Sequence, residues 1–203
     1  MKKAAVVLIL IITTGYINAQ NKGDYRFSLL LTPQISWMSS DNADVSGNGS
    51  KLGYNFGVLI DRFFGTNYAI ATGLTINTTG GKLKYSLEDE ISRDFSLKYI
   101  EVPLGLRLRS EDLWRSNIYG RFGLSPQINI QAQDSDGNSM SSNVKNFDIG
   151  YHLGGGIEYS IGSRNAIMIG LLYNSGFSDT TKRLEVSDKS VLNRLVFELG
   201  FIF

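Results

Sequence analysis

From residue 25 onward the chain repeats one pattern eight times: apolar and polar side chains alternate at period two over a dozen or more residues, and a turn follows. Side chains alternate across the two faces of a β-strand, so each stretch has one greasy face and one wet face. The terminal stretch, VLNRLVFELGFIF at 191–203, shows this most clearly. Val191, Leu195, Phe197, Leu199, Phe201 and Phe203 fall on one parity, while Arg194, Glu198 and Gly200 fall on the other. The first face must meet hydrocarbon or a packed core, and the second must meet water or polar partners.

Alternation and turn signals predict strands near 25–38, 51–64, 67–79, 96–110, 116–131, 145–161, 164–177 and 191–203. Between them, long connections (39–50, 80–95, 132–144, 178–190) alternate with short ones (65–66, 111–115, 162–163). Every long connection therefore lies at one end of the sheet. The parities agree from strand to strand. Ile100, Val102, Leu104, Leu106 and Leu108 oppose Tyr99, Glu101, Pro103, Gly105, Arg107 and Arg109. Ile118, Phe122, Leu124, Ile128 and Ile130 oppose Tyr119, Arg121, Ser125, Gln127, Asn129 and Gln131. The same holds for Ile149, Tyr151, Leu153, Ile157 and Tyr159 against His152, Gly154, Gly156, Glu158 and Ser160, and more weakly in 164–177 and 67–79. In 25–38 the apolar set is Tyr25, Phe27, Leu29, Leu31, Ile35 and Trp37, with Pro33 predicting a bulge or register change.

The amino terminus supplies the compartment. Lys2 and Lys3 precede an apolar run from Ala4 to Ile12, and Ala19 precedes Gln20, so residues 1–19 read as a cleaved secretory signal peptide and 20–203 as a single domain. The run is too short for a spanning helix, which needs about 20 apolar residues. The chain has no cysteine, which excludes a lipidated Cys, a disulfide scaffold and thiolate metal sites. The formal charge of +1 falls to −1 on loss of Lys2 and Lys3, and there is no basic stripe, so a nucleic-acid partner is not expected.

These features predict an all-β fold, an eight-stranded antiparallel transmembrane up-and-down barrel of the bacterial outer membrane, monomeric, with short periplasmic turns and long external loops. A soluble eight-stranded barrel would put its apolar face inside. Here the apolar face is broad and nearly uncharged, with Tyr25, Trp37, Tyr54, Tyr159 and Phe203 near strand ends as an interfacial girdle requires. Closure also satisfies every backbone group without an edge, as hydrocarbon demands.

The segment LKYIEVPLGLRLR at 97–109 resembles the Y-[LI]-E-[VI]-P-L-x-[LI]-[KR] stretch of the PorT-like outer-membrane β-barrel family of Bacteroidota, through Tyr99, Ile100, Glu101, Val102, Pro103, Leu104, Leu106 and Arg107. A Glu-x-Pro within a strand is tolerated when the Glu has partners and the Pro sits at a bulge. The shape is also similar to the OmpA and OmpX barrels. The resemblance implies an outer-membrane protein and, for one member, a link to protein secretion and gliding machinery. An aromatic terminus such as Phe203 resembles the tail that barrel-assembly machinery reads.

Parity assigns Arg26, Asp61, Glu101, Arg107, Arg109, Arg121, His152, Glu158, Arg194 and Glu198 to the lumen. Five arginines facing four carboxylates predict an ion-paired plug of structural role and no continuous water path. A small pore is the alternative, and a surface adhesin another. A lipid A-modifying enzyme is less expected, because the single histidine, His152, points into the lumen and no nucleophile–base pair can be read at the rim. No catalytic, cofactor or metal residues are assigned. DSDGN at 134–138 is similar to the start of a calcium loop, but Lys145 stands at the twelfth position, where Glu is needed. Loops 39–50 and 132–144 read as solvated and mobile. Loop 80–95 carries Leu83, Tyr85, Leu87, Ile91 and Phe95 and reads as a rim hairpin packed on its neighbours, or as an edge open to β-augmentation. The expected partners are outer-membrane lipid, the barrel-assembly machinery and an envelope protein met through the external loops; the expected role is structural or interactive, with a secretion accessory of PorT type as its most specific form.

Overall fold

The computed structural model describes residues 25–42, 44–86, 90–162, 165–182 and 189–203. The predicted signal segment 1–19 lies outside the described residues, as do Leu87, Glu88 and Asp89 at the tip of the second long connection. Ten antiparallel strands follow one another: β1 (Tyr25–Ser40), β2 (Val45–Gly47), β3 (Ser50–Phe63), β4 (Tyr68–Ser86), β5 (Glu90–Glu101), β6 (Leu104–Arg109), β7 (Ser116–Gln133), β8 (Phe147–Ser160), β9 (Ala166–Gly176) and β10 (Ser190–Ile202). β5 and β6 both pair with β4 on one side and β7 on the other, so they are two halves of one barrel strand. The ring thus runs β4, β3, β1, β10, β9, β8, β7, β5/β6 and back to β4, eight strands closed on themselves. The seam is β1 against β10, from Ser28 opposite Ile202 to Ser40 opposite Ser190.

The predicted parities set what faces out. Leu29, Leu31, Leu52, Phe56, Leu74, Leu104, Ile118, Leu124, Ile128, Leu153, Ile169 and Leu199 are all exposed around the outer wall. A soluble protein does not leave so continuous an apolar surface in water. Aromatic pairs mark both ends of the band: Phe27 with Phe203 and Phe64 with Tyr68 below, Trp37 with Tyr173 and Tyr151 with Phe177 above. Apolar contacts inside the ring gather at the two ends of the lumen. Leu30, Leu59, Tyr119, Ala166, Met168 and Ile202 form the lower cluster. Met38, Val45, Leu83, Tyr85, Phe95, Leu97, Tyr99, Ala132, Met140, Val144 and Leu192 form the upper one.

Several sequence expectations are corrected in detail. Pro33 makes no bulge: the β1–β10 ladder omits residues 31 to 33, where proline offers no N–H, and resumes at Gln34 opposite Val196 in the same register. Pro103 interrupts the strand without shifting it either, because Val102 N donates to Pro126 O at 3.0 Å and the pairing with β7 continues unchanged. The register shift falls instead at Lys98/Tyr99. Residues 80–86 and 90–95 are not loop but the protruding ends of β4 and β5, paired from Thr75–Glu101 up to Ser86–Glu90. Their inward residues Leu83, Tyr85 and Phe95 are fully buried, which is why alternation persists beyond the membrane band and why the packed-hairpin reading is the one the fold adopts. Loops 39–50 and 132–144 are also less solvated than composition suggested. The first carries β2, which pairs Val45 with Tyr85, and both tuck an apolar residue under the hairpin, Val45 from one and Met140 and Val144 from the other side.

Glycine matters most where a lumen side chain needs room. A Cβ on Gly170 would stand 2.3 Å from the Tyr119 hydroxyl and 2.7 Å from Gly155 O. Gly170→Ala should therefore displace Tyr119 from Glu198 and cost about 1–3 kcal/mol by overpacking. Urea unfolding in detergent checks it, and an unchanged midpoint would show that the lumen relaxes freely there.

Candidate functional site in the barrel lumen

Inward parity on seven strands brings the charged residues into three layers. At the bottom, Glu158 of β8 accepts from Arg26 of β1 at 2.8 Å and from Arg107 of β6 at 2.6 Å, with Arg109 Nε 3.4 Å away. Arg107 is completely buried, lies 3.2 Å from Asp61 of β3 and stacks 4.2 Å above the Tyr119 ring. Arg26 and Arg109 keep partial solvent contact at the rim, and Arg109 also donates to Asn117 at 2.6 Å. In the middle layer Arg121 pairs with Glu198 at 2.8 Å, and the Tyr119 hydroxyl donates to the same carboxylate at 2.8 Å. Above it Arg194 pairs with Glu101 at 2.7 Å, and Asn77 donates to Glu101 at 2.9 Å.

All nine charged residues assigned to the lumen thus point inward and touch at least one opposite charge. Carboxylates buried this deeply are tolerable only with charged or hydrogen-bonding partners, and Glu158 and Glu101 each have several. Between the middle and upper layers a cavity of about 10 Å³, room for a single water, is bounded by Asn55, Thr75, Glu101, Pro103, Arg121, Arg194 and Glu198.

Sequence reasoning missed the neutral half of this network. Asn55 donates to Asn77 at 2.6 Å, Asn174 reaches Ser125 at 3.2 Å, and Gln127 donates to Asp148 at 3.0 Å. Asp148 is fully buried and also accepts from Ser178. Its signal was available, since Asp148 shares the parity of His152. The amides carried no such signal, because an Asn on an inward parity gives no indication of which strand it will reach across.

His152 is buried, with Nδ1 2.9 Å from Ser125 Oγ. Among the described residues no carboxylate hydrogen-bonds to it, and no group of three His, Cys, Asp or Glu side chains is placed to hold a metal ion. The Asp134 carboxylate at the external turn is occupied by its own loop: Oδ2 accepts from Asn138 Nδ2 at 3.0 Å, and Oδ1 from the backbone N–H of Asn138 and Asp136 at 2.8 and 2.9 Å. The Asn138 side chain, then these backbone donors, hold it below the usual carboxylate range. That is the chemistry of an Asx-type turn.

Above the lumen the upper apolar cluster closes the mouth. Asp94 on β5 pairs with Lys82 across the hairpin and with Lys51 of β3, and the second pair clamps the protruding hairpin to the neighbouring strand. A closed ring of eight strands, an apolar outer wall, aromatic ends and a charged, side-chain-filled interior define a small outer-membrane β-barrel. The chain belongs to the outer membrane protein beta-barrel domain family, whose profile matches residues 17–182. No curated protein matches it. Among solved structures it is similar to Neisserial surface protein A (NspA), at 16% identity and a TM-score of 0.54, covering 87% of this chain and 95% of that one. It is also similar to OprG from Pseudomonas aeruginosa (13% identity, TM-score 0.47, 87% and 94% covered) and to Ail of Yersinia pestis (15%, 0.46, 88% and 99%). At these identities the likeness to NspA is one of fold, and the protein is placed in the bacterial outer membrane.

Proposed function

We propose that this barrel is non-conducting and serves the cell envelope as a structural or interaction protein, presenting its external hairpin and loops to a partner. The observation that carries this reading is double closure. Three layers of ion pairs fill the lumen, and an apolar cluster built from the β4–β5 hairpin and two loops sits over its mouth. An eight-stranded interior is just wide enough to be filled by side chains, so little else is left for water. In planar bilayers the folded protein should give no sustained openings above background. Large steady conductance would overturn the reading in favour of a small pore.

The secretion-accessory role rests on the resemblance carried by Tyr99, Ile100, Glu101, Val102, Pro103, Leu104, Leu106 and Arg107 alone; its test is deletion of the gene, with loss of exported cargo as the expected result and normal export as the refuting one. Surface adhesion is the second reading, supported by a long, packed external hairpin, and altered surface binding on deletion would mark it. A non-enzymatic role is supported by His152 lying beneath the mouth cluster and out of reach of the membrane rim.

Residues 1–19 act as the cleaved export signal in this reading, and Phe203 as the terminal residue read by the barrel-assembly machinery. Phe203 is half-exposed and bonded in register with Phe27 through both backbone groups, at 3.0 and 3.4 Å. Its deletion should lower the yield of folded protein in the outer membrane; an unchanged yield would refute the role.

A further inference from the structure

The turn between β6 and β7 presents a tryptophan in a way its own backbone opposes. Leu113 and Ser116 exchange backbone hydrogen bonds at 2.8 and 3.1 Å, leaving Trp114 and Arg115 as a two-residue loop. Trp114 has φ of 63°, the sole non-glycine with positive φ among the described residues. The first central position of such a turn ordinarily goes to glycine when φ is positive there and negative at the second. A bulky residue held in the left-handed region is strained, and here nothing in the protein repays it, because the Trp114 side chain is 100% exposed.

What surrounds it is apolar and continuous with the lipid-facing wall. Leu113, Tyr159, Ile161 and Ile118 are each about half exposed on the same side of the ring. Arg115 lies over the Tyr159 ring, 5.5 Å from its centroid, and its Nε donates to Ser160 O at 3.2 Å, so its cation is fixed at the edge of this patch. The nearby acid Asp112 is drawn away by Arg109 at 3.2 Å and by Asn117. Tyr159 is level with Ser116. Two further residues along a strand tilted by about 40° carry Trp114 about 5 Å further from the bilayer midplane than Tyr159, which is within the headgroup layer.

We propose that the β6–β7 turn is a lipid anchor: Trp114 and Leu113 insert into the headgroup layer of the periplasmic leaflet, and Arg115 binds a phospholipid phosphate there. The inference rests on the membrane-spanning reading of the outer wall. An indole is suited to this depth, having an apolar body and one N–H donor. The strained φ is what aims the ring outward from the turn.

The chain has two tryptophans, so each can be isolated. The Trp37→Phe protein, reconstituted in phosphatidylethanolamine–phosphatidylglycerol vesicles, should show Trp114 emission shifted to the blue of indole in water, with roughly half its intensity lost when the acyl chains carry bromine near the headgroup. The Trp114→Phe protein reports Trp37 on the wall as a control for insertion. Water-like, unquenched Trp114 emission beside a quenched Trp37 overturns the anchor while leaving the spanning reading intact. If neither is quenched, the spanning reading fails and the anchor with it.

Discussion

Glu158→Ala should destabilise the folded barrel by about 3–5 kcal/mol, the cost of leaving a buried ion-pair partner uncompensated. Glu158 is the hub of the lower layer, with Arg26, Arg107 and Arg109 within 2.6 to 3.4 Å. Its removal takes the carboxylate from Arg26, leaves Arg109 with the exposed Asp112 and Arg107 with Asp61, and Arg107 has no exposed surface through which water could replace the lost carboxylate. Asp61 is poorly able to compensate, because its contact with Arg107 is a 3.2 Å charge pair in which Arg107 Nη1 makes no hydrogen bond. Urea unfolding in detergent or vesicles measures the effect. The triple variant Glu158→Ala, Arg107→Met, Asp61→Leu should recover most of the loss, since Asp61 is the other buried partner of Arg107 and replacing all members of a buried ionic cluster by apolar groups is often neutral. A single variant as stable as the parent would show that the lower layer does not hold the barrel together.

Phe95→Ala should act at the other end of the lumen and locally. Phe95 is fully buried among Met38, Leu83 and Leu97 in the cluster that closes the mouth. Truncating a buried Phe costs about 3–5 kcal/mol through lost burial and the cavity left behind. The barrel wall does not depend on that cluster, because its ladders run unbroken beneath it. The cost should therefore appear as loosening of the hairpin and of loops 39–50 and 132–144. Limited proteolysis should cut the variant at those loops within times that leave the parent intact, while the heat-dependent gel shift of the folded barrel persists. Equal protection of parent and variant would refute the idea that Phe95 ties the cap together.

These two sites differ in how far they could be read before the fold was known. Glu158 and its arginines announced themselves, because a charge on one parity of an otherwise apolar strand can only face inward in a membrane barrel. Leu83, Tyr85 and Phe95 carried the same alternation, yet they fell in a stretch whose length and charged tip suggested a loop. Pro33 and Pro103 were read as bulges, since a missing N–H usually disturbs a ladder. In the closed ring each stays in register: Pro33 is held by β3 opposite Tyr54, and past Pro103 both ladders resume unshifted at Leu104, opposite Thr72 and Leu124.

Strand count, parity, the end of the barrel that bears the long loops, and the inward set of charges except Asp148 were all determined by the sequence. Each depends on period-two alternation, which is local and survives without knowledge of any partner. Partner choice within the lumen was decided only by the tertiary structure. Arg194 meets Glu101 across 93 residues and Arg26 meets Glu158 across 132, distances over which a parity carries no information. Ring closure sets those pairs, because the stagger between strands fixes which side chains share a level. The same holds for the cap: β2 finds β4, and Val144 finds the hairpin cluster, only once the barrel brings its long connections together over one mouth.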